Sequence, residues 1–199
     1  MALVDGTPAL ALLTHVLTPA MTRIGELWER NEITVADEHL ATAITQGVMA
    51  LVYPSLYDRP PLSAERILLA CVEGDRHVLG LRMIADVLEG HGFEVIFLGP
   101  DLPLGALLAS VERHQPQVVA LGATAPSSGM TLLHTIDQLR SQRPDIAIIV
   151  GGRSVPEQLS DIGSGVEVVE DASRAISAVD RALERTQLAN ATACEAELP

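Results

Sequence analysis

The sequence predicts an α/β fold: a flavodoxin-like, doubly wound parallel five-stranded sheet preceded by a short helical-bundle cap. Three observations lead there. Five short apolar runs recur after residue 64, amphipathic stretches separate them, and a cluster of prolines divides this part from a purely helical beginning. Continuous apolar strands alternating with helices belong to a parallel sheet covered on both faces. A chain of 199 residues that is 48% hydrophobic and 3% aromatic can bury a core, and that core must be aliphatic.

In chain order, Leu10, Leu13, Leu17, Ala20, Met21, Ile24 and Leu27 recur every three or four residues, the spacing of a helical stripe. Thr18-Pro19 interrupts it, as a kink or as a fresh helix start with proline at the first position. A second stripe, Leu40, Ile44, Gly47, Val48 and Leu51, follows a turn around Asn31, with Thr34 and Asp37 as a capping pair at its start. Pro54, Pro60 and Pro61 end the helical part. Strands are then expected at 66–72, 94–98, 117–121, 146–150 and 166–169, with helices at about 77–90, 103–113, 127–142 and 171–187. The division is thus a cap over 1–58, a linker at 59–63, the sheet domain over 64–187 and a mobile tail over 188–199. Two or three helices bury too little surface to stand alone. The cap must lean on the sheet domain, a second subunit or a large ligand.

Charge excludes several functions. Twenty-six acidic residues against thirteen basic ones, all arginine, leave a formal charge of −13. Such a field repels phosphate backbones and anionic lipid, so direct DNA binding and membrane attachment are not expected. No apolar run approaches a membrane span, the N-terminus lacks a basic leader, and Cys71 and Cys194 share no metal or redox spacing. A cytoplasmic protein is expected.

In a doubly wound sheet, ligands sit beyond the carboxyl ends of the strands where the strand order reverses. The loop after the first strand reads Glu73-Gly74-Asp75-Arg76-His77-Val78-Leu79-Gly80. Asp75 and His77, two apart in an extended loop, point to one side. A carboxylate on one imidazole nitrogen fixes the tautomer and raises the basicity of the other, the usual support for a metal-bound histidine. Gly80 removes a side chain where the next helix begins, so something bulky can come close. The loop after the third strand, Gly122-Ala123-Thr124-Ala125-Pro126-Ser127-Ser128-Gly129, is small and hydroxylic, and the loop after the fourth opens with Gly151-Gly152. Together the three loops outline a slot rather than a catalytic constellation. Each part alone is more often an ordinary loop or turn.

Asp75-x-His77-x-x-Gly80 followed by these small-residue loops resembles the cobalamin-binding domain of methionine synthase, mutases and corrinoid proteins. The resemblance implies a B12-binding, Rossmann-like domain in which His77 is the lower axial ligand of cobalt, tuned by Asp75. It implies that Arg76, Val78, Leu79 and Gly80 line the ring, and that the nucleotide tail passes Gly122, Thr124, Gly151 and Gly152. Where the family has serine after strand three, this chain has Gly122, so one polar contact to the tail is missing.

The helical part is similar to the cap of light-responsive, MerR-type cobalamin regulators, through Trp28, Glu38 and His39 in a Trp-x9-Glu-His pattern. That likeness implies that Trp28 packs over the upper ligand of adenosylcobalamin while Glu38 and His39 approach the adenosyl group. The best-known members have histidine after the tryptophan to take the upper cobalt position after illumination; here that residue is Glu29, and His39 is the remaining candidate. Against that likeness, no DNA-binding module is expected ahead of the cap, and the bundle is expected to be short by a first helix. Photocobilins, which share this architecture, add a bilin, and a short bundle is expected to leave a groove for one such as biliverdin. The function implied is a stand-alone sensor, not an enzyme, with no catalytic residue of its own, that signals through a second copy or a partner protein. The alternative is a corrinoid carrier that shuttles methyl groups for a methyltransferase system, whose cap must swing away to expose the cobalt.

Overall fold

A computed structural model describes residues 8–56, 65–160 and 165–196. Five parallel strands, β1 (Arg66–Val72), β2 (Glu94–Leu102), β3 (Val118–Gly122), β4 (Ala147–Gly151) and β5 (Val166–Val169), form one sheet in the order β2-β1-β3-β4-β5. The order reverses between β1 and β3, so the carboxyl ends of these two strands flank the crevice where such folds bind ligands. Cys71 pairs with Gly122, and Gly122 with Gly151, which sets the three loops side by side.

The period of two along β1 divides the core. Ile67, Leu69 and Cys71 face one apolar cluster; Leu68, Ala70 and Val72 face the other. Helices α4 (Leu79–Gly90) and α7 (Ala175–Ala196) cover the first face, α5 (Leu104–His114) and α6 (Ser128–Gln142) the second. The expected strands and helices therefore exist, with two differences. Strand β2 continues to Leu102, because register shifts against β1 carry it past Gly99 and Asp101, both at positive φ. Helix α7 runs through Ala196, well past the 188 boundary expected for a mobile tail: its first turns are anchored by buried Ala175, Ala178 and Val179, and a helix once nucleated extends at little cost.

The cap comprises α1 (Ala9–Leu12), a π-helical turn (Leu13–Leu17), α2 (Thr18–Glu29) and α3 (Val35–Val52). Thr18-Pro19 is not a freshly capped start, since Leu17 before it is already helical and no side chain caps the helix there; the irregularity is a π turn in the helix. Proline at 19 lacks an N–H and crowds the carbonyl one turn back, and the wider π turn absorbs it. The Thr18 hydroxyl donates to the Leu13 carbonyl at 2.9 Å across that turn. The capping pair forms as a full box: Thr34 Oγ1 accepts from the Asp37 N–H at 3.2 Å, and Asp37 Oδ2 accepts from the Thr34 N–H at 2.9 Å. Pro54 lies in a 3₁₀ turn, Tyr53–Ser55, that ends α3; Pro60, Pro61 and the expected linker lie outside the described residues.

The cap leans on the sheet domain. Leu12, Leu13, Met49, Val52 and Leu56 join the cluster that holds Leu81, Met83, Val87 and Leu88 of α4. The expected stripe of α3 packs in part: Val48 lies against this cluster, Leu40, Ile44 and Leu51 are exposed, and Thr45, Met49 and Val52 are buried. Helix α2 buries none of its residues fully.

Candidate functional site

The site is built around the carboxylate of Asp75, which has no solvent exposure and is satisfied on both oxygens. Oδ1 accepts from the backbone N–H of His77 and pairs with His77 Nδ1, each at 2.9 Å. Oδ2 accepts from the backbone N–H of Ala125 and the hydroxyl of Ser128, both at 2.9 Å, and from the N–H of Thr124. Burial pushes this carboxyl up, but the amides of Thr124, His77 and Ala125 and the His77 ring outweigh burial and hold it at about 2. Asp75 is therefore ionised, and its charge holds the proton on Nδ1 of His77. In the neutral ring the second nitrogen, Nε2, then carries the lone pair, and with the side chain 56% exposed it can reach a ligand.

A second clamp holds the same loop from the β2 side. Asp101 donates its N–H to the Asp75 carbonyl at 2.8 Å, accepts from the Gly74 N–H on Oδ1 at 2.7 Å, and meets Arg76 through Oδ2 at 3.4 Å. Asp101 has φ +52, a conformation that aspartate tolerates better than most residues. Sequence reading missed both Asp101 and Ser128. The only signal for Asp101 was its place just past the end of the second predicted strand, and Ser128 was one hydroxyl among several in its loop.

The remaining expected residues fall into three groups. Val78 and Leu79 wall a cavity beside the loop, and a side chain at Gly80 would meet nothing within 4 Å, so space lies open beyond His77. Gly122 sits between Cys71 and Gly151, where an added Cβ would stand 3.3 Å from Cys71 Sγ. Gly152, at φ +112, abuts the Ala123 carbonyl closely enough that any Cβ would collide with it. Ser154 reinforces the junction, donating its N–H to the Ala123 carbonyl and its hydroxyl to the Thr124 carbonyl, both at 3.0 Å. The loops after β3 and β4 thus touch at Gly152.

Trp28, Glu38 and His39 stand apart from the Asp75 network, at the turn end of the cap. Trp28 closes α2 and is 43% exposed. Glu38 accepts from the Thr42 hydroxyl at 2.8 Å, and His39, exposed, lies 3.6 Å from Glu38. One ion pair spans the gap to the sheet domain: Glu29 on α2 meets Arg153, which directly follows Gly152 and lies against Gly25. The cap's Trp28 end is therefore fastened to the same carboxyl edge that carries His77.

Among the described residues no group of three or more histidine, cysteine, aspartate or glutamate side chains could cage a bare metal ion. A metal already chelated in a ring asks for one further nitrogen, which the exposed Nε2 of His77 could supply. The residues fit such a group. Among the described residues, no helix is long and apolar enough to cross a membrane.

Comparison with known proteins places these features. A family model described as B12 binding domain matches residues 65–180, and a second of the same description matches residues 1–53. The HTH-type transcriptional repressor CarA of Myxococcus xanthus is 35% identical over 149 residues, which is 73% of this chain but half of the repressor's length. The trimethylamine corrinoid protein of Methanosarcina barkeri is 27% identical over 92% of this chain and 86% of its own. The structure of the Methanosarcina barkeri monomethylamine corrinoid protein superimposes with a TM-score of 0.78 at 24% identity, covering 92% of this chain and 86% of that one, a likeness of fold.

Proposed function

The chain belongs to the B12-binding domain family, and from that premise we propose that it is a cobalamin-based light sensor in which His77 is the lower cobalt ligand and the helical cap is the responding part. Adenosylcobalamin is the expected cofactor; when bound, it supplies a cobalt–carbon bond that light breaks. The chain's own residues do the rest. Asp75, pinned by Thr124, Ala125 and Ser128, keeps the His77 proton on Nδ1 and its lone pair outward on Nε2. Trp28, Glu38 and His39 are proposed to surround the upper group, and Gly80, Gly122, Gly151 and Gly152 the ring and tail.

The observation that carries the sensor reading is the Glu29–Arg153 pair, because it holds the Trp28–His39 end of the cap at the carboxyl edge of the sheet. Loss of the group beneath Trp28 changes what that end packs against, and a packing change at one site biases a two-state interface. Glu29 is engaged by Arg153, so no imidazole stands at the position after Trp28 to take the upper cobalt position. The illuminated state is expected to be less firmly locked than in the DNA-binding regulators, with His39 as the only nearby imidazole of the cap's turn end. The output is expected to be contact with a second copy or a partner protein: a mobility shift of duplex DNA by the purified chain at physiological salt would overturn that part.

The test is absorption and size-exclusion chromatography of adenosylcobalamin-loaded protein, dark and after green light, in wild type, Trp28→Ala and His39→Ala. Photolysis with a change of size or shape in wild type, diminished in the variants, supports the sensor. An undiminished response in both variants removes the Trp28–His39 assignment. Co-expression with biliverdin tests the second chromophore in the same spectrum, as a red band whose position depends on the corrin's state.

A corrinoid carrier is the second reading, and one observation favours it: the trimethylamine corrinoid protein aligns over nearly its whole length, whereas this chain spans half of the repressor. Wild-type protein that photolyses without any change of size or shape would put the carrier first.

A further inference from the structure

We propose that the cavity between α3 and α4 receives an uncharged carboxamide from the rim of the corrin, with Arg82 as its hydrogen-bond donor, and that it rejects a carboxylate at the same place. The inference rests on the cobalamin-binding reading above and adds a specificity determinant to it.

The cavity measures about 420 Å³. It begins at Val78, the residue after His77, and runs along α4 beneath α3, walled by Met49, Tyr53, Leu79 and Phe97. Among the described residues that line it, the cation is Arg82. The guanidinium carbon lies 5.0 Å from the centre of the Tyr53 ring and 5.1 Å from that of Phe97, so two aromatic faces hold the group in place. Behind it stand two carboxylates: Arg82 NH2 is 2.6 Å from Asp86 Oδ1 and 3.8 Å from Glu89 Oε2. The first approach is an ion pair rather than a well-aimed hydrogen bond. Both oxygens are buried and neither has a donor of good geometry.

Two acids thus share one guanidinium in a largely apolar pocket. Burial pushes the Asp86 carboxyl up to about 6, Arg82 offsets part of this, and Glu89 adds to it, so a further negative charge brought to these two acids on one guanidinium is disfavoured. A ligand that enters must accept from Arg82 without bringing another charge. A carboxamide does this: its carbonyl accepts from the guanidinium, and its NH₂ offers donors to a site rich in acceptors. A carboxylate of the same shape would place a third anion beside one cation. Corrins present carboxamides around the ring rim, and hydrolysis of one of them gives an isomeric monocarboxylic acid that differs only in this group. If Arg82 and Asp86 merely braced α4 as an i, i+4 pair, replacing either would alter stability but not the choice between amide and acid.

The test is equilibrium titration of the full chain with hydroxocobalamin and with each isomeric rim monocarboxylic acid, followed by the His-on absorption change. Wild type should bind at least one acid isomer about tenfold or more weakly than the parent, since a like charge brought into a buried acidic cluster is strongly disfavoured. Asp86→Asn should narrow that gap, and Arg82→Met should weaken binding of the parent itself. Should Asp86→Asn fail to fold, Glu89→Gln at the outer side of the cluster carries the same comparison. Equal binding of the parent and every isomer by wild type, or a gap untouched in the Asp86 and Glu89 variants, would overturn this inference alone. Failure of hydroxocobalamin itself to give a His-on spectrum in wild type would overturn the cobalamin reading, and the inference with it.

Discussion

The carboxylate of Asp75 meets the imidazole of His77 at 2.9 Å on one oxygen while its other oxygen is held by groups from beyond the next strand but one, at Thr124, Ala125 and Ser128. One side chain therefore both orients the histidine and ties together the two loops that flank the sheet's crevice. This double role sets the first two predictions.

His77→Ala should abolish the His-on spectrum of bound cobalamin. Asp75→Asn should keep a histidine but leave it free to turn or change tautomer, weakening cobalamin binding by about 10–100-fold, the usual effect of removing the partner of a metal-bound histidine. Titration followed by absorbance measures both. Wild-type affinity and spectrum in His77→Ala would remove the central claim.

Asp75 also predicts how the unliganded protein responds to acid. Its carboxyl is held at about 2 against an ordinary value of 3.8, so the folded state prefers the charged form. The stabilisation, about 2 kcal/mol, is present above the ordinary value and is lost as pH falls towards 2. Chemical unfolding of wild type and Asp75→Asn should show a stability difference that is constant from pH 7 to 5 and shrinks below pH 4.

Cobalamin should raise the melting temperature, since a ligand that binds only the folded state adds about 2.7 kcal/mol at a hundredfold excess over its dissociation constant. The cap should gain most, because α2 buries none of its residues fully and α3 leaves Leu40, Ile44 and Leu51 exposed. Hydrogen exchange with and without ligand locates the gain. Equal protection in the cap in both states would contradict a cap closed by the cofactor.

Asp101→Ala should separate positioning from stability. The change removes an acceptor for the Gly74 N–H and the partner of Arg76, for a cost of about 1 kcal/mol in unfolding. It should lower the His-on fraction of bound cobalamin at a given pH by more than that cost implies, because the second clamp on the loop that aims His77 keeps its backbone bond but loses its side-chain contacts. Asp101→Asn, which keeps an acceptor, should restore most of that fraction. A variant that melts lower but keeps the wild-type His-on fraction would assign Asp101 to structure alone.

The parts legible in the sequence were those encoded locally. Apolar runs in β3 and β4 marked those strands to within a residue, because these central strands, buried on both faces, have no polar positions to blur their ends. Thr34 and Asp37 marked the start of α3 because a capping box is a contact three residues apart. Asp75 and His77 could be paired for the same reason, lying two residues apart in one loop.

What only the tertiary structure decided are contacts between groups far apart in the chain. Ser128 reaches Asp75, Asp101 clamps Gly74, Arg153 meets Glu29, and the cap's Tyr53 faces Arg82 only because the sheet order sets β1 beside β2 and β3 and lays the cap on α4. Periodicity reports which face of an element is apolar but not what covers it: of the α3 stripe Val48 packs on the core while Leu40, Ile44 and Leu51 stay exposed, and Thr45, Met49 and Val52 are buried beside it. Hydrogen bonds and ion pairs act over a few ångströms in space, whatever the separation along the chain. The identity of the residue proposed as ligand was therefore written in one loop, while its orientation and surroundings depended on how that loop met its neighbours.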